Sequence, residues 1–418
     1  MKIRIPRRVV LSLESIFFFF GLFFVSSFAL LENVSIPIPA FSLLKMPILY
    51  AGALCILTRI PLFLRVFRKK KYFFVLLVVV LFCAGLELSA YFNHGTRIGS
   101  DPQNTTIRLI LYLVELFCIM IWAAESGRSR FVMDFLFYYV LILTVATDVL
   151  LTVDKYMFGY SAAGVYLLGS KFTVSYFHIN LFALWLMRNR ERIRSDRKAR
   201  RIIYVGLPVI LIVSLYVECL TGALSCLVFL ALFLMMNTSM DKKIRMLNSR
   251  TAMICTLIFC VVFPFVVEGF VSIPFVTSLL EDFLNRSTTL SGRLDIYERF
   301  AYVMNGHWMW GYGFGNGNTV SMVKFGYANA QNALFHWILQ TGVLTTGLLS
   351  SVVVTVIGRV KRSPNVERCM PMVLLIYLYV VLGIIEITFS MSFLLWVAAL
   401  FMITCSKNDP NQQHMKRK

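Results

Sequence analysis

The 418-residue chain is 58% hydrophobic and only 15% charged, where soluble proteins carry about 25% charged residues, and its mean hydropathy is +0.75. Apolar runs of the length that crosses a hydrocarbon core as a helix recur from Val9 to Phe401, leaving no room for a soluble domain of useful size. A net charge of +20 and a pI near 9.7 do not point to nucleic acid, because the basic residues lie where membrane topology accounts for them.

The pattern predicts an all-α polytopic membrane protein of about twelve transmembrane helices, near 9–31, 41–63, 72–92, 106–124, 131–152, 173–187, 202–218, 221–237, 251–270, 331–357, 370–387 and 389–405. Both termini then lie on one side. Basic residues flanking spans are retained in the cytoplasm, so the placement of Lys and Arg orients the chain. Of the 41, only nine fall on the side opposite the N-terminus: Lys45, Arg97, Arg108, Lys155, Lys171, Arg286, Arg293, Arg299 and Lys324. The rest include "RVFRKKK" from Arg65, "RNRERIRSDRKARR" from Arg188, "DKKIR" from Asp241 and "RVKR" from Arg359. Both termini are therefore expected in the cytoplasm. The chain divides into helices 1–9 over 1–270, a large external loop over 271–330, helices 10–12 over 331–405 and a cytoplasmic tail over 406–418. The pair of spans around "ECLTG" from Glu218 reads either as a hairpin or as a broken region.

The first apolar run, after "KIRIPRR", is too long for a signal-peptide h-region and reads as an uncleaved span. The nine Cys show no CxxC pairing and lie almost entirely within predicted spans, so neither a disulfide framework nor a zinc site is expected. No internal repeat is apparent, and "GYGFGNGN" from Gly311 lacks the Lys-Ser/Thr of a P-loop. Nucleotide-driven transport within this chain is not expected.

Polar features concentrate in the external segments. The stretch "SGRLDIYERF" from Ser291 opens an amphipathic run in which Leu294, Tyr297, Ala301 and Met304 share one helical face, with Asp295, Glu298 and Arg299 on another. A short helix on the outer membrane surface fits this pattern. Arg293 falls in its first turn, where the helix dipole disfavours a cation, so it reads as a residue reaching for an anion. Next, "WGYGFGNGNTV" alternates Gly with aromatics. It is either a flexible loop or a backbone that approaches a sugar closely, with Tyr312 and Phe314 as stacking surfaces. At the head of the tenth span lie Asn329, Gln331 and Asn332, with His336 one turn beyond Asn332. An intramembrane His is costly unless it is paired or functional. Lys171 in "GSKF" reads as an interfacial anchor or an anion ligand. Glu87, Glu115, Glu218 and Glu386 are carboxylates within or at the ends of spans, where interhelical hydrogen bonding and function are both reasonable roles.

"SGRLDIYERF", "GYGFGN" and "AQNALFHWILQTGVLTTGLL", in that order and spacing within one external loop and the next span, resemble the C-terminal signature of the O-antigen polymerase and ligase superfamily. The resemblance is close over 287–349 and elsewhere extends only to architecture. It implies a bacterial plasma-membrane enzyme that transfers a polyprenyl-pyrophosphate-linked oligosaccharide on the external face without a cofactor or divalent metal. The growing polysaccharide and membrane lipid would be its other partners, and a flippase and a chain-length regulator its neighbours. Arg293 matches the position of the family's essential Arg. Gln331 stands where ligases carry His, and Asn332 where they carry Asn, which favours a polymerase. "LTGAL" from Leu220 has Thr221 where the family often has Arg.

On this reading Arg293, assisted by Lys171 or Arg286, neutralises the departing pyrophosphate. His336 is the first choice of general base, ahead of His307, Glu298 and Asp295. Tyr312, Gln331 and Asn332 complete the substrate site. The alternatives are a ligase that moves the glycan to another acceptor and a flippase or exporter for the same lipid-linked sugars. A receptor or scaffold would lack anion-binding geometry.

Overall fold

A computed structural model describes residues 7–35, 38–95, 98–157, 166–189, 193, 197–237, 247–271, 273 and 293–406. Among them all regular structure is helical: α1 (Arg7–Leu30), α2 (Ser42–Leu57), α3 (Ile60–Val66), α4 (Lys70–Phe92), α5 (Pro102–Ser126), α6 (Ser129–Met157), α7 (Lys171–Arg188), α8 (Arg197–Tyr216), α9 (Leu220–Asn237), α10 (Arg250–Val271), α11 (Arg293–Val303), α12 (Gly317–Phe325), α13 (Ala333–Val360), α14 (Val366–Leu382) and α15 (Met391–Cys405). Seven segments are helical, long and apolar enough to cross a membrane: α1, the stretch 39–57 that contains α2, α4, α5, α6, α10 and α13. Shorter apolar helical stretches occur in α8, α9 and α15.

Every apolar segment predicted from the sequence falls on helix. The second is divided into α2 and α3 around Arg59, with Pro61 in the first turn of α3, where its missing N–H costs nothing. The helix boundaries follow recognisable chemistry. Asp101 caps α5 by accepting from Gln103 N at 3.1 Å, ahead of Pro102, and Gly127 ends it in the left-handed conformation at φ 71°. Around Glu218 the chain turns back. Cys226 Sγ on α9 donates to Leu207 O on α8 at 3.2 Å, which fixes the two helices as a hairpin.

Helices α14 and α15 are buried along nearly their whole length and form the centre of the bundle. Around them, α13 packs on α4 and α10, while α7 packs on α6 and α14. At the end of the bundle where α4 begins, Glu125 pairs with Lys69 and with Lys71, and accepts the Tyr72 hydroxyl at 2.7 Å.

The main irregularity is a break in α13. Gly342 adopts φ 77° and ψ 173°, so the helix stops and restarts. The freed backbone groups are taken by the loop that precedes α12: Val343 N donates to Trp308 O at 2.8 Å, and Tyr312 N donates to Leu339 O at 2.9 Å. The same loop is tied to α4, where Ser89 Oγ donates to Trp310 O at 2.6 Å and Phe92 stacks on Trp310. The glycines permit this contact. A Cβ on Gly311 would lie 2.6 Å from the Gln340 carbonyl carbon, and one on Gly313 would lie 2.6 Å from Pro102. Gly311 and Gly313 thus approach the protein's own helices, whereas Phe314 and Gly315 line a cavity.

Helix α11 is amphipathic, as predicted, with a slightly different face. Ile296, Tyr297, Phe300 and Val303 are buried, whereas Ala301 is exposed. Phe300 stacks on Phe335 with ring centroids 4.3 Å apart, seating α11 on the first turns of α13.

The break generates a paired prediction. Gly342→Ala places a Cβ against Met309 O in a conformation that L-residues rarely adopt, so it should destabilise the protein by at least about 2 kcal/mol. Gly347→Ala, with nothing near its Cβ, should leave it unchanged. Thermal melting of the detergent-solubilised variants measures both, and equal melting temperatures would contradict the role assigned to the break.

Candidate functional site

A cavity of about 790 Å³ opens at one end of the bundle, between the end of α1 and the starts of α5, α7, α13 and α15. The sequence reading places this end on the external face. Its wall is unusually polar for an apolar protein: Glu32, Lys45, Arg108, Asn329, Gln331, His336, Gln340 and Glu386 all contribute.

Glu386 lies in the connection between α14 and α15. The connection is folded tightly, with Thr388 Oγ1 donating to Tyr379 O at 2.6 Å. Arg293, first residue of α11, reaches it with two bonds: Nη2 to Glu386 Oε1 at 3.0 Å and Nε to Ile385 O at 3.1 Å. Both side chains are largely buried, at 17% and 11% exposure. Burial pushes the Glu386 carboxyl up to about 7, opposed first by the Arg293 charge and less strongly by Thr221 and the Lys171 charge. Three segments far apart in sequence, around 171, 221 and 293, therefore act on one carboxylate.

The same corner is fixed by Tyr297. Its hydroxyl donates to Gln331 O at 3.2 Å or to Ile384 O at 3.1 Å, linking α11 to the entrance of α13. Gln331 is one of two described non-glycine residues with positive φ, at 53°. Its N–H is held by Asn329 Oδ1 at 2.9 Å, and its side chain lines the cavity.

His336 lies one turn inside α13 and also lines the cavity. Its Nδ1 is buried and makes no hydrogen bond. Gly317 is required beside it, since a Cβ there would lie 2.5 Å from His336 Cε1. A buried imidazole nitrogen with no protein partner is an uncommon and costly arrangement, and Nδ1 itself has almost no accessible surface although the residue lines the cavity.

Not every predicted site residue reaches this cavity. Asn332 is fully buried. It caps α13 by accepting from Phe335 N at 3.0 Å, while Nδ2 donates to Cys260 O and Ile384 O at 3.2 and 3.1 Å. With both ends of its amide engaged, it is a structural cap and not a substrate ligand. Tyr312 is also buried, with its hydroxyl donated to Val303 O at 2.6 Å and its ring stacked on His307 at 3.9 Å. It is therefore not a sugar platform. His307 is occupied by that stack, and Asp295 accepts the Tyr327 hydroxyl at 2.9 Å. Arg286 lies outside the described residues.

Of the intramembrane carboxylates, Glu87 accepts from Gln103 Nε2. Glu115 is buried close to Gly52, and neither residue lines the cavity. Lys171 acts on the site only through its charge on Glu386. The sequence reading did not single out Lys45, Arg108, Glu32 or Gln340 as site residues. The only signal for the two cations was their presence among the few basic residues on the disfavoured face.

Among the described residues no group of three His, Cys, Asp or Glu side chains is arranged to hold a metal. No protein-family model, curated protein or solved structure matches the chain.

The raised carboxyl gives a pH prediction. Because the folded value of Glu386, about 7, lies above its ordinary 4.5, folding favours the protonated form. That contribution is fully present below about pH 4.5 and is lost as pH rises through about 7. Melting curves from about pH 4 to about pH 8 should show the wild-type protein losing stability relative to Glu386→Gln across this window, and parallel curves would contradict the assignment.

Proposed function

We propose that the chain is a membrane glycosyltransferase with a lipid-linked donor, crossing the membrane about twelve times with both termini cytoplasmic and its cavity on the external face. Within that class, it is a polymerase of a bacterial cell-surface polysaccharide at the plasma membrane, joining polyprenyl-pyrophosphate-linked oligosaccharide units into a growing chain. The observation that carries the reading is convergence. Gln331 and His336 at the entrance to α13 and Phe314 and Gly315 of the glycine-rich stretch line one polar cavity, and Arg293 reaches it through Glu386 on its wall.

The chemistry needs few parts. A hydroxyl oxygen of the acceptor glycan attacks the anomeric carbon of the donor, and the bond from that carbon to the pyrophosphate oxygen breaks. The pyrophosphate departs with the electron pair, and the hydroxyl proton passes to a base. His336, which lines the cavity one turn inside α13, suits the proton transfer. The corner made by Arg293, Glu386 and Lys171 supplies fixed charge that aligns the reacting groups. Gln331, in place of a ligase histidine, favours polymerisation over transfer to a different acceptor.

The test is reconstitution. Purified protein supplied with a lipid-linked repeat unit should yield a ladder of longer chains. Transfer only to a foreign acceptor would make it a ligase, and movement of the lipid across the bilayer without new bonds would make it a flippase or exporter. Arg293→Ala and His336→Ala should each slow ladder formation by about a hundredfold or more with protein levels retained.

A further inference from the structure

The charges around the cavity do not balance. Its two carboxylates each have a cation beside them. Glu32 feels the charge of Lys45, which also donates to the Glu32 carbonyl at 2.9 Å, and Glu386 is paired with Arg293. Arg108 is the cation left over. It is exposed, it lines the cavity, and among the described residues it has no hydrogen bond, ion pair or ring contact.

The cost of that position makes the imbalance informative. Arg108 lies in the second turn of α5, at the helix end where backbone N–H groups already concentrate positive charge. Asp101, the acid at that helix end, is committed to the cap through Gln103 N and Asn104 Nδ2. A cation here gains nothing from its own helix, and the retention rule for basic residues opposes it on this face. Among the described residues the side-chain amide of Gln331, on the same cavity, also lacks a hydrogen bond. A guanidinium and an amide without such partners suit an oxyanion with several acceptor oxygens. The planar guanidinium fork matches phosphoryl oxygens in particular.

We infer that Arg108 is the residue that grips the phosphoryl oxygens of the lipid-linked donor, with Gln331 completing the site, and that Arg293 is a positioning residue that holds Glu386. The assignment rests on the donor proposed above and reverses the role that motif position alone gave Arg293. An Arg already carrying two bonds to Glu386 and Ile385 would have to break an internal pair to bind the donor, and Arg108 would not.

The test is equilibrium binding to the full chain in lipid nanodiscs, with polyprenyl pyrophosphate, neutral polyprenol and inorganic pyrophosphate as probes. Arg108→Gln should weaken polyprenyl pyrophosphate binding by at least about tenfold and leave polyprenol binding unchanged. Arg108→Lys should recover part of the loss, and Arg293→Gln should retain near wild-type binding of the pyrophosphate lipid. Polyprenyl pyrophosphate should also bind more tightly than inorganic pyrophosphate. Unchanged binding by Arg108→Gln, or a parallel loss of polyprenol binding, would overturn the assignment, as would a site that accepts only inorganic pyrophosphate. The two proposals fail separately. A wild-type ladder that persists at full rate in Arg108→Gln removes the anion site and keeps the polymerase, whereas loss of lipid binding in that variant with no ladder from wild type keeps the anion site and removes the polymerase.

Discussion

The break in α13 at Gly342 is the constraint on which the cavity end of the molecule depends. A continuous helix would satisfy its own backbone and leave nothing for the loop over 304–316 to bind. Because the helix stops, Leu339 O and Val343 N become available, and the loop supplies the missing partners from Tyr312 N and Trp308 O. Neither side of that exchange is stable alone in an apolar surrounding, where an unpaired peptide group costs several kcal/mol. The loop in turn seats α11 over Phe335 and carries Gly317 to the side of His336. One left-handed glycine thereby fixes the position of two predicted motifs relative to each other.

Electrostatics at the cavity then follow from which charges are already engaged. A buried ion pair such as Arg293 and Glu386 is weak evidence for stability, since desolvation offsets much of its attraction, but its geometry is specific. Two hydrogen bonds and a tightly folded connection hold the carboxylate in one place. Charges of this kind suit alignment. Charges without internal partners, as at Arg108, suit capture of a ligand.

Much of the helical architecture was legible in the sequence, because hydrophobic run length is nearly sufficient to specify a helix in an apolar solvent. The helical amphipathicity of the stretch from Arg293 was legible as well, though its pairing with Glu386 was not. Residue roles were harder. Asn332 and Tyr312 have the chemistry of ligands, yet Asn332 spends both ends of its amide on α13 and its neighbours, and Tyr312 spends its hydroxyl on Val303 O. Nothing local distinguishes a polar group that caps a helix from one that meets a substrate. Gly342 illustrates the same limit: it reads as a small residue for close helix packing, and only the approach of Met309 O reveals a break. Arg108 was one of nine cations on the disfavoured face, and its lack of a partner is a property of the assembled bundle.

The cavity wall also joins distant parts of the chain. Met391 N donates to Glu32 Oε2 at 3.3 Å, and Tyr112 on α5 donates its hydroxyl to Met391 O at 3.1 Å. The start of α15 thus closes a space whose other walls come from α1, α2, α5, α7 and α13. A ribosome that has released the chain only as far as α13 has made most of the polar residues of the site but no enclosure for them. The enclosure is consequently completed only when α15 is in place, and a chain truncated before α15 would keep His336 and Arg108 without that wall of the cavity.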